Sequence, residues 1–375
     1  MEPALRILLV GGGSGGHFYP LISLGEALRK SDTLVALYYM GPDAYDSEAL
    51  KRIGATFVFC PSGKKRRYAS LLNALDIFKV IWGFFVALQK LYVLYPDVIV
   101  SKGGYTSVPV ILAAAFFRIP IVVHESDTRP GRANKLASKF TKHIAISFED
   151  VREYFTHHDV VFTGIPVRSE LLTPALGTEH ELLGIDQTLP TLLVLGGSQG
   201  AERINTLVLE SLDELLPSYN VIHQTGKAHF SVTAVSAREL VHDDVLLSRY
   251  RPIAFFDNPA VLNAAYHASS LVISRAGTGT IYETALHGKP SILIPIPETI
   301  SHDQRTNAYA YARSGGATVL EEGNLGDTLL MEEITRIMKN TAIYSDMATR
   351  AKAFAPENGA ALLAKLTLDV ARTHS

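Results

Sequence analysis

The chain has 375 residues, 47 % of them hydrophobic and 19 % charged, with a formal net charge of −2. That suffices for about two globular domains and lacks the basic surplus of a nucleic-acid-binding surface, so no nucleic-acid partner is expected. The single cysteine, Cys60, excludes an internal disulfide framework and a cysteine-rich metal site, and fits a reducing compartment.

Residues 5–10 read as a buried strand with no cleavable leader before it. The strand ends in Gly11-Gly12-Gly13-Ser14-Gly15-Gly16-His17, and Pro20 is tolerated in the first turns of the helix that follows. Gly11, Gly13 and Gly16 satisfy G-x-G-x-x-G. A dinucleotide site also wants an acid at the end of the second strand, and that strand, 34–40, ends in Met40-Gly41-Pro42, which argues against NAD. A strand at 56–60, a basic loop Lys64-Lys65-Arg66-Arg67 and an unusually apolar helix over 70–95 come next. Lys79, Gln89 and Lys90 interrupt the most apolar window, 77–94, and it is not expected to span a membrane. Further strands fall at 97–101, before Lys102-Gly103-Gly104-Tyr105; at 119–124, running into His124-Glu125-Ser126-Asp127; and at 144–147 and 160–163. This is a βα series suited to a parallel sheet.

A connector over 169–190 precedes a second series. It opens with a strand at 191–195, the loop Gly196-Gly197-Ser198-Gln199-Gly200 and a helix from about Ala201. Within it, 271–274 reads as a strand and Arg275-Ala276-Gly277-Thr278-Gly279-Thr280 as a turn of small residues. A helix capped by Thr280 follows, with Glu283 three residues on, and Gly288-Lys289-Pro290 separates it from a strand at 291–297. A strand, a glycine turn and a fresh helix N-terminus make an anion site. Glu283 is informative there: a carboxylate beside a phosphate is unfavourable unless it accepts hydrogen bonds from hydroxyls such as a ribose diol. The alternative is a plain capping box, Thr280-x-x-Glu283. Two glycine-loop starts predict an α/β chain of two Rossmann-like domains with a cleft between them, 1–166 and 167–354. A last helix at about 355–375 could pack back on the first domain.

Nine motifs in order, from 12 to 308, then resemble one family. They are GGSGGHFYP, KGGYTS, HES, NK, TGIPVR, GGSQGAERIN, HQTGK, SRAGTGTIYE and HDQRTNA. The chain resembles the MurG-type N-acetylglucosaminyltransferases, inverting enzymes of GT-B architecture. These move GlcNAc from UDP-GlcNAc onto undecaprenyl-pyrophosphoryl-MurNAc-pentapeptide at the cytoplasmic face of the bacterial plasma membrane. The resemblance implies no cofactor and no metal, and it assigns roles by position. Ser198 would hold the diphosphate side, and Thr278, Gly279 and Thr280 would contact phosphate and sugar. Glu283 would take the ribose hydroxyls, while Gln304 with Asp303 would face the GlcNAc hydroxyls. Phe256 would line the uracil slot and Arg168 would reach the nucleotide from the hinge. Ser14, Gly15 and Gly16 would approach the sugar end. Tyr105, His124 and Glu125 would line the acceptor site. The family often has Asn where this chain has Asp127, and an ionised acid cannot donate a hydrogen bond to a sugar. Some members have Gln where this chain has Asp303.

An inverting transfer needs a base titrating near neutrality, which suits His17, with Glu125 as the rival base. The plainer readings are a His17 that only hydrogen-bonds its loop and a Glu125 ion-paired with Arg129 or Arg132. Lys64–Arg67, followed by Leu71, Leu72, Leu75, Phe78, Trp82 and Phe85, suggests peripheral docking on an anionic membrane. Each cation near such a leaflet would contribute about 1 kcal/mol. Other readings are a glycosyl-diacylglycerol synthase, a UDP-GlcNAc 2-epimerase or a non-catalytic UDP-sugar-binding protein.

Overall fold

The structure, a computed structural model, describes residues 4–31, 34–63, 72–197, 201–297 and 302–374. The chain divides into two compact units, Met1–Arg168 with Glu357–Ser375, and Ser169–Pro356. Each is built on one parallel sheet.

The first sheet contains β1 (Leu5–Gly11), β2 (Val35–Gly41), β3 (Thr56–Phe59), β4 (Val98–Gly103), β5 (Ile121–Glu125), β6 (His143–Ile146) and β7 (Asp159–Phe162), in the order β3-β2-β1-β4-β5-β6-β7. The second contains β8 (Thr191–Leu195), β9 (Asn220–Gln224), β10 (Tyr250–Ile253), β11 (Ser269–Ser274), β12 (Ser291–Leu293) and β13 (Ala317–Val319), in the order β10-β9-β8-β11-β12-β13. β1 shows why these strands read as unbroken apolar runs. Ile7 and Leu9 enter one apolar layer while Leu8 and Val10 enter the other, so the strand is covered on both faces. In each sheet the strand order reverses beside the first strand, at β1/β4 and at β8/β11. The loops leaving those pairs therefore open onto the crevice where such sheets bind ligands.

The last helix, Gly359–His374, belongs to the first unit. Its Leu363, Ala364 and Leu368 pack with Phe18, Leu21 and Leu24 of the helix Gly15–Ser31. The apolar helix runs over Leu72–Leu94. By length and composition Asp76–Leu94 could cross a membrane, yet Ala87 and Leu91 are built into the core. Gly83 lies so close to the Pro61 backbone that a Cβ would meet the Pro61 carbonyl oxygen. Phe78, Trp82 and Phe85, at i, i+4 and i+7, form an exposed stripe at 69 %, 64 % and 58 % exposure. Lys64–Arg67 and Leu71 lie outside the described residues, as do the side chains of Leu72 and Leu75.

Two expectations are corrected. The strand expected over 291–297 stops at Leu293, with one further ladder bond from Ile294 N to Ser274 O, 2.8 Å. Pro295 and Pro297 carry no N–H and cannot extend the ladder. The helix expected to be capped by Thr280 is Thr278–Leu286, with Gly277 as its N-cap and no side-chain capping bond. Thr280 is thus inside the first turn, and the Thr280–Glu283 capping box does not form.

Candidate active site

In the first unit the loop Gly11–Gly16 joins β1 to the helix Gly15–Ser31. Gly13 lies at φ +82°, and a Cβ there would stand 2.6 Å from the Tyr105 ring. Gly104, at φ +79°, lets the loop after β4 close on the first: a Cβ would stand 3.1 Å from Gly12 O and 3.7 Å from the His17 ring. Glycine alone suits both positions. Tyr39, near the end of β2, donates its hydroxyl to Gly11 O at 2.9 Å, on the side where a dinucleotide site would present its acid. His17 N and Phe18 N both donate to Ser14 O at 3.1 Å. The N–H groups of Gly15 and Gly16 precede those bonds, as at an anion-binding helix start.

Ser14 Oγ lies 2.6 Å from His17 Nδ1. With Nδ1–H donated to Ser14, Nε2 keeps its lone pair, the form a base requires. Burial first, then the Lys102 charge, push the His17 pKa down to about 4 against the opposing pull of Asp127. The expected titration near neutrality is thus corrected: the ring is neutral at pH 7 and protonates only near pH 4, because burial and the Lys102 charge disfavour the imidazolium. Arg168 places its guanidinium 5.4 Å from the centre of the Tyr19 ring.

His124 and Glu125, expected to line the acceptor site, are instead fully enclosed at the end of β5. His124 donates from Nε2 to Gly164 O at 2.9 Å. Glu125 accepts from Asp127 N at 3.0 Å, Gly131 N at 2.9 Å and Asn134 Nδ2 at 2.9 Å. These three donors, not Arg129 or Arg132, are its partners. Three N–H groups converging on two oxygens anchor the loop 125–131 and occupy the carboxylate that a base would need. Burial, then the Asp127 charge, push the Glu125 carboxyl up, while the hydrogen bonds and Lys102 oppose that rise. The sequence alone gives Asn134 and Lys102 no role, although both stand in the motifs NK and KGGYTS.

In the second unit, Gly196, Gly197, Gly277, Thr280 and Gln304 line one open pocket of 730 Å³ at the carboxyl ends of β8, β11 and β12. The helix ladder starts at Ile281 N to Gly277 O, 3.0 Å, so the N–H groups of Thr278, Gly279 and Thr280 precede it. The Thr278 hydroxyl is buried and accepts from Asn307 Nδ2 at 3.2 Å. Gln304 accepts from Ile296 N through its carbonyl at 3.3 Å, which orients its amide N–H2. Glu283 and Phe256 lie outside this pocket's lining. Glu283 Oε2 accepts from Tyr266 Oη at 3.1 Å; the Tyr266 ring stacks on His287 at 4.6 Å, and His287 bonds Glu283 O and Asn263. Phe256 N donates to Gln224 Oε1 at 3.4 Å, and Gln224 Nε2 donates to Gly197 O at 3.1 Å, which ties the Phe256 loop to the glycine loop. Ser198 and the Asp303 side chain lie outside the described residues. The pocket also holds Arg203 and Arg275, unassigned in the sequence; Arg275 is ion-paired with Glu322 at 2.5 Å. An arginine has no periodic signature that separates a pocket residue from a surface one.

Residues 7–146 match the glycosyltransferase family 28 N-terminal domain, and residues 191–363 match the glycosyltransferase family 28 C-terminal domain. The chain is 35 % identical over 349 residues to the UDP-N-acetylglucosamine--N-acetylmuramyl-(pentapeptide) pyrophosphoryl-undecaprenol N-acetylglucosamine transferase of Clostridium botulinum (strain Loch Maree / Type A3), covering 92 % of this chain and 95 % of that one. It is 36 % identical over 341 residues to the protein of the same name from Legionella pneumophila (strain Paris), covering 90 % of each. In fold it is similar to Acinetobacter baumannii MurG, with a TM-score of 0.75 at 22 % identity over 98 % of this chain and 100 % of that one. It is also similar to the UDP-GlcNAc 2-epimerase of Neisseria meningitidis bound to UDP-GlcNAc, with a TM-score of 0.71 at 15 % identity over 97 % of this chain and 100 % of that one. At such identities these two likenesses speak for the fold alone.

Proposed function

Since the chain belongs to glycosyltransferase family 28, we propose that it transfers GlcNAc from UDP-GlcNAc to the MurNAc of undecaprenyl-pyrophosphoryl-MurNAc-pentapeptide, converting lipid I to lipid II in peptidoglycan synthesis. The near-full-length identity to relatives of that name carries the reading.

The roles follow from the chemistry of one displacement at the anomeric carbon. The acceptor oxygen forms a bond to that carbon as the bond to the UDP oxygen breaks. The hydroxyl proton goes to His17 Nε2, and UDP leaves with the electron pair. The first-turn N–H groups of Thr278, Gly279 and Thr280, with Ser198 and the glycine-loop amides, stabilise the charge that grows on the diphosphate. Glu283 accepts the ribose hydroxyls, Phe256 lines the uracil slot, and Gln304 and Asp303 hold the sugar hydroxyls. Arg168 adds a cation for the nucleotide. Ser14, Gly15, Gly16, Tyr105 and Asp127 orient the reacting sugars. His124 and Glu125 serve this site from beneath, by fixing the loops that carry those groups.

The test is UDP release from UDP-GlcNAc with and without a soluble lipid I analogue, followed by mass. The expected result is acceptor-dependent release with one N-acetylhexosamine added. Release without acceptor would point to an epimerase, and nucleotide binding without any release to a binding protein; either result overturns the transferase.

The acceptor is lipid-linked, and we place the protein peripherally on the cytoplasmic face of the bacterial plasma membrane. The stripe Phe78, Trp82 and Phe85 supports this, because it leaves apolar side chains on a helix whose other side is anchored in the core. Full burial of such a side chain contributes about 1.5–3 kcal/mol. Replacing all three with serine is therefore expected to weaken binding to anionic vesicles by about tenfold or more in a co-sedimentation assay. Unchanged partitioning of the folded variant would remove this stripe from the docking surface.

A further inference from the structure

The ladder between β1 and β4 slips at one residue. Val10 pairs with Ser101 and Gly11 with Gly103, which leaves Lys102 as the bulged position. Bulges re-aim a side chain, and here the bulge sits under the first glycine loop: a Cβ on Gly11 would stand 2.8 Å from Lys102 Cβ. Lys102 is 1 % exposed, and its ammonium has no hydrogen-bond partner among the described residues. A lysine is almost never enclosed without a countercharge. The charged and titratable groups around it are His17 from the first loop, His124 and Glu125 from β5, and Asp127 from the loop after β5. Asn134 completes the enclosure: it holds Glu125, and a Cβ on Gly103 would stand 2.6 Å from its Oδ1.

We propose that Lys102 is a positioning residue for the transfer: its buried ammonium balances the Glu125 and Asp127 carboxylates beneath the acceptor loop and adds to burial in favouring the neutral, proton-accepting form of the His17 imidazole. The proposal rests on the reading of His17 as the base. It gives the second acid of this loop, Asp127, an electrostatic counterpart inside the same unit. Burial lowers the Lys102 pKa only to about 8, since Glu125 and Asp127 oppose the fall, so the ammonium persists at neutral pH. A cation held there disfavours a second positive charge on His17. Removing it should therefore raise the His17 pKa, and neighbouring charges of this kind move a pKa by about 1–3 units.

The experiment follows the His17 imidazole by NMR in protein labelled at histidine 13Cε1, with the signal identified by its loss in His17→Gln. In Lys102→Met the midpoint is expected to rise by about 1 unit or more. Activity should then fall about threefold relative to wild type at about pH 4.5 and match it at pH 8, with KM for UDP-GlcNAc within about twofold of wild type. Lys102→Arg, which retains the charge, should keep the wild-type midpoint. A midpoint unchanged in folded Lys102→Met, or activity lost equally at about pH 4.5 and pH 8, overturns the proposal. If Lys102→Met does not fold, Lys102→Gln gives the same readout with a polar end in the cavity. Failure of the base reading is separately visible: His17→Gln would then transfer at near wild-type rate, whatever the imidazole midpoint does in the Lys102 variants.

Discussion

Replacing His17 with glutamine is expected to slow single-turnover transfer by about 10²–10⁴-fold, the usual contribution of a positioned base, while UDP-GlcNAc binding by calorimetry stays the same. Glutamine is close in size and can still bond Ser14, so the loop keeps its shape and only proton acceptance is lost. The ring is held through Nδ1 by Ser14 Oγ at 2.6 Å and backed by the side-chain-free Gly104. A loss smaller than about threefold would return His17 to a loop-bonding role. The pH dependence follows from the lowered pKa: burial and Lys102 hold it at about 4, so the base stays unprotonated down to about that pH and activity is lost as pH falls through it. Stability changes with the same sign. The unfolded chain binds a proton at this histidine from about 6.5 downward and the folded chain does not, so this contribution declines as pH drops from about 6.5 toward 4.

Replacing Glu283 with alanine is expected to raise KM for UDP-GlcNAc by about 10–100-fold with a smaller change in kcat. Hydrogen bonds to a charged group are worth about 1.5–3 kcal/mol, and each 1.4 kcal/mol is tenfold. The carboxylate is pre-oriented by the Tyr266 hydroxyl at 3.1 Å, and Tyr266 is in turn held by the stacked His287. Steady-state kinetics with UDP-GlcNAc and with 2′-deoxy-UDP-GlcNAc separate the role from a general loss of structure. If Glu283 takes the ribose hydroxyls, the deoxy donor should bind worse to the wild type but nearly equally to the variant. An equal deoxy penalty in both proteins would place the ribose elsewhere.

Much of the architecture was legible because these strands are covered on both faces. β1, β8 and β11 appear as unbroken apolar runs of a kind that only a buried parallel strand needs. The glycine turns after β1, β4 and β8 were legible for a different reason. Gly13, Gly104 and Gly197 occupy positive φ, where a side chain is strained, and the turn itself selects the residue. Local rules failed where another signal competed. Thr280-x-x-Glu283 has the letters of a capping box, but Gly277 starts the helix one turn earlier and Glu283 is held by Tyr266. The apolar string 291–297 looks like a strand, yet its two prolines end the ladder.

By itself, then, the sequence determined two glycine-looped parallel α/β halves and the motif order of a glycosyltransferase family. These are properties of local spacing: backbone freedom at glycine, apolar periodicity, and residues a few positions apart on one turn. Only the tertiary structure decided which charged residues are enclosed. Lys102, His124 and Glu125 stand at the ends of β4 and β5, where a strand runs into its loop, and nothing in their spacing marks them as buried. A one-residue slip between β1 and β4 turns Lys102 inward, and three N–H donors brought together by the fold close around Glu125. Desolvation and the mutual field of charges depend on distances between segments remote in sequence, so the protonation of His17 is a property of the folded unit.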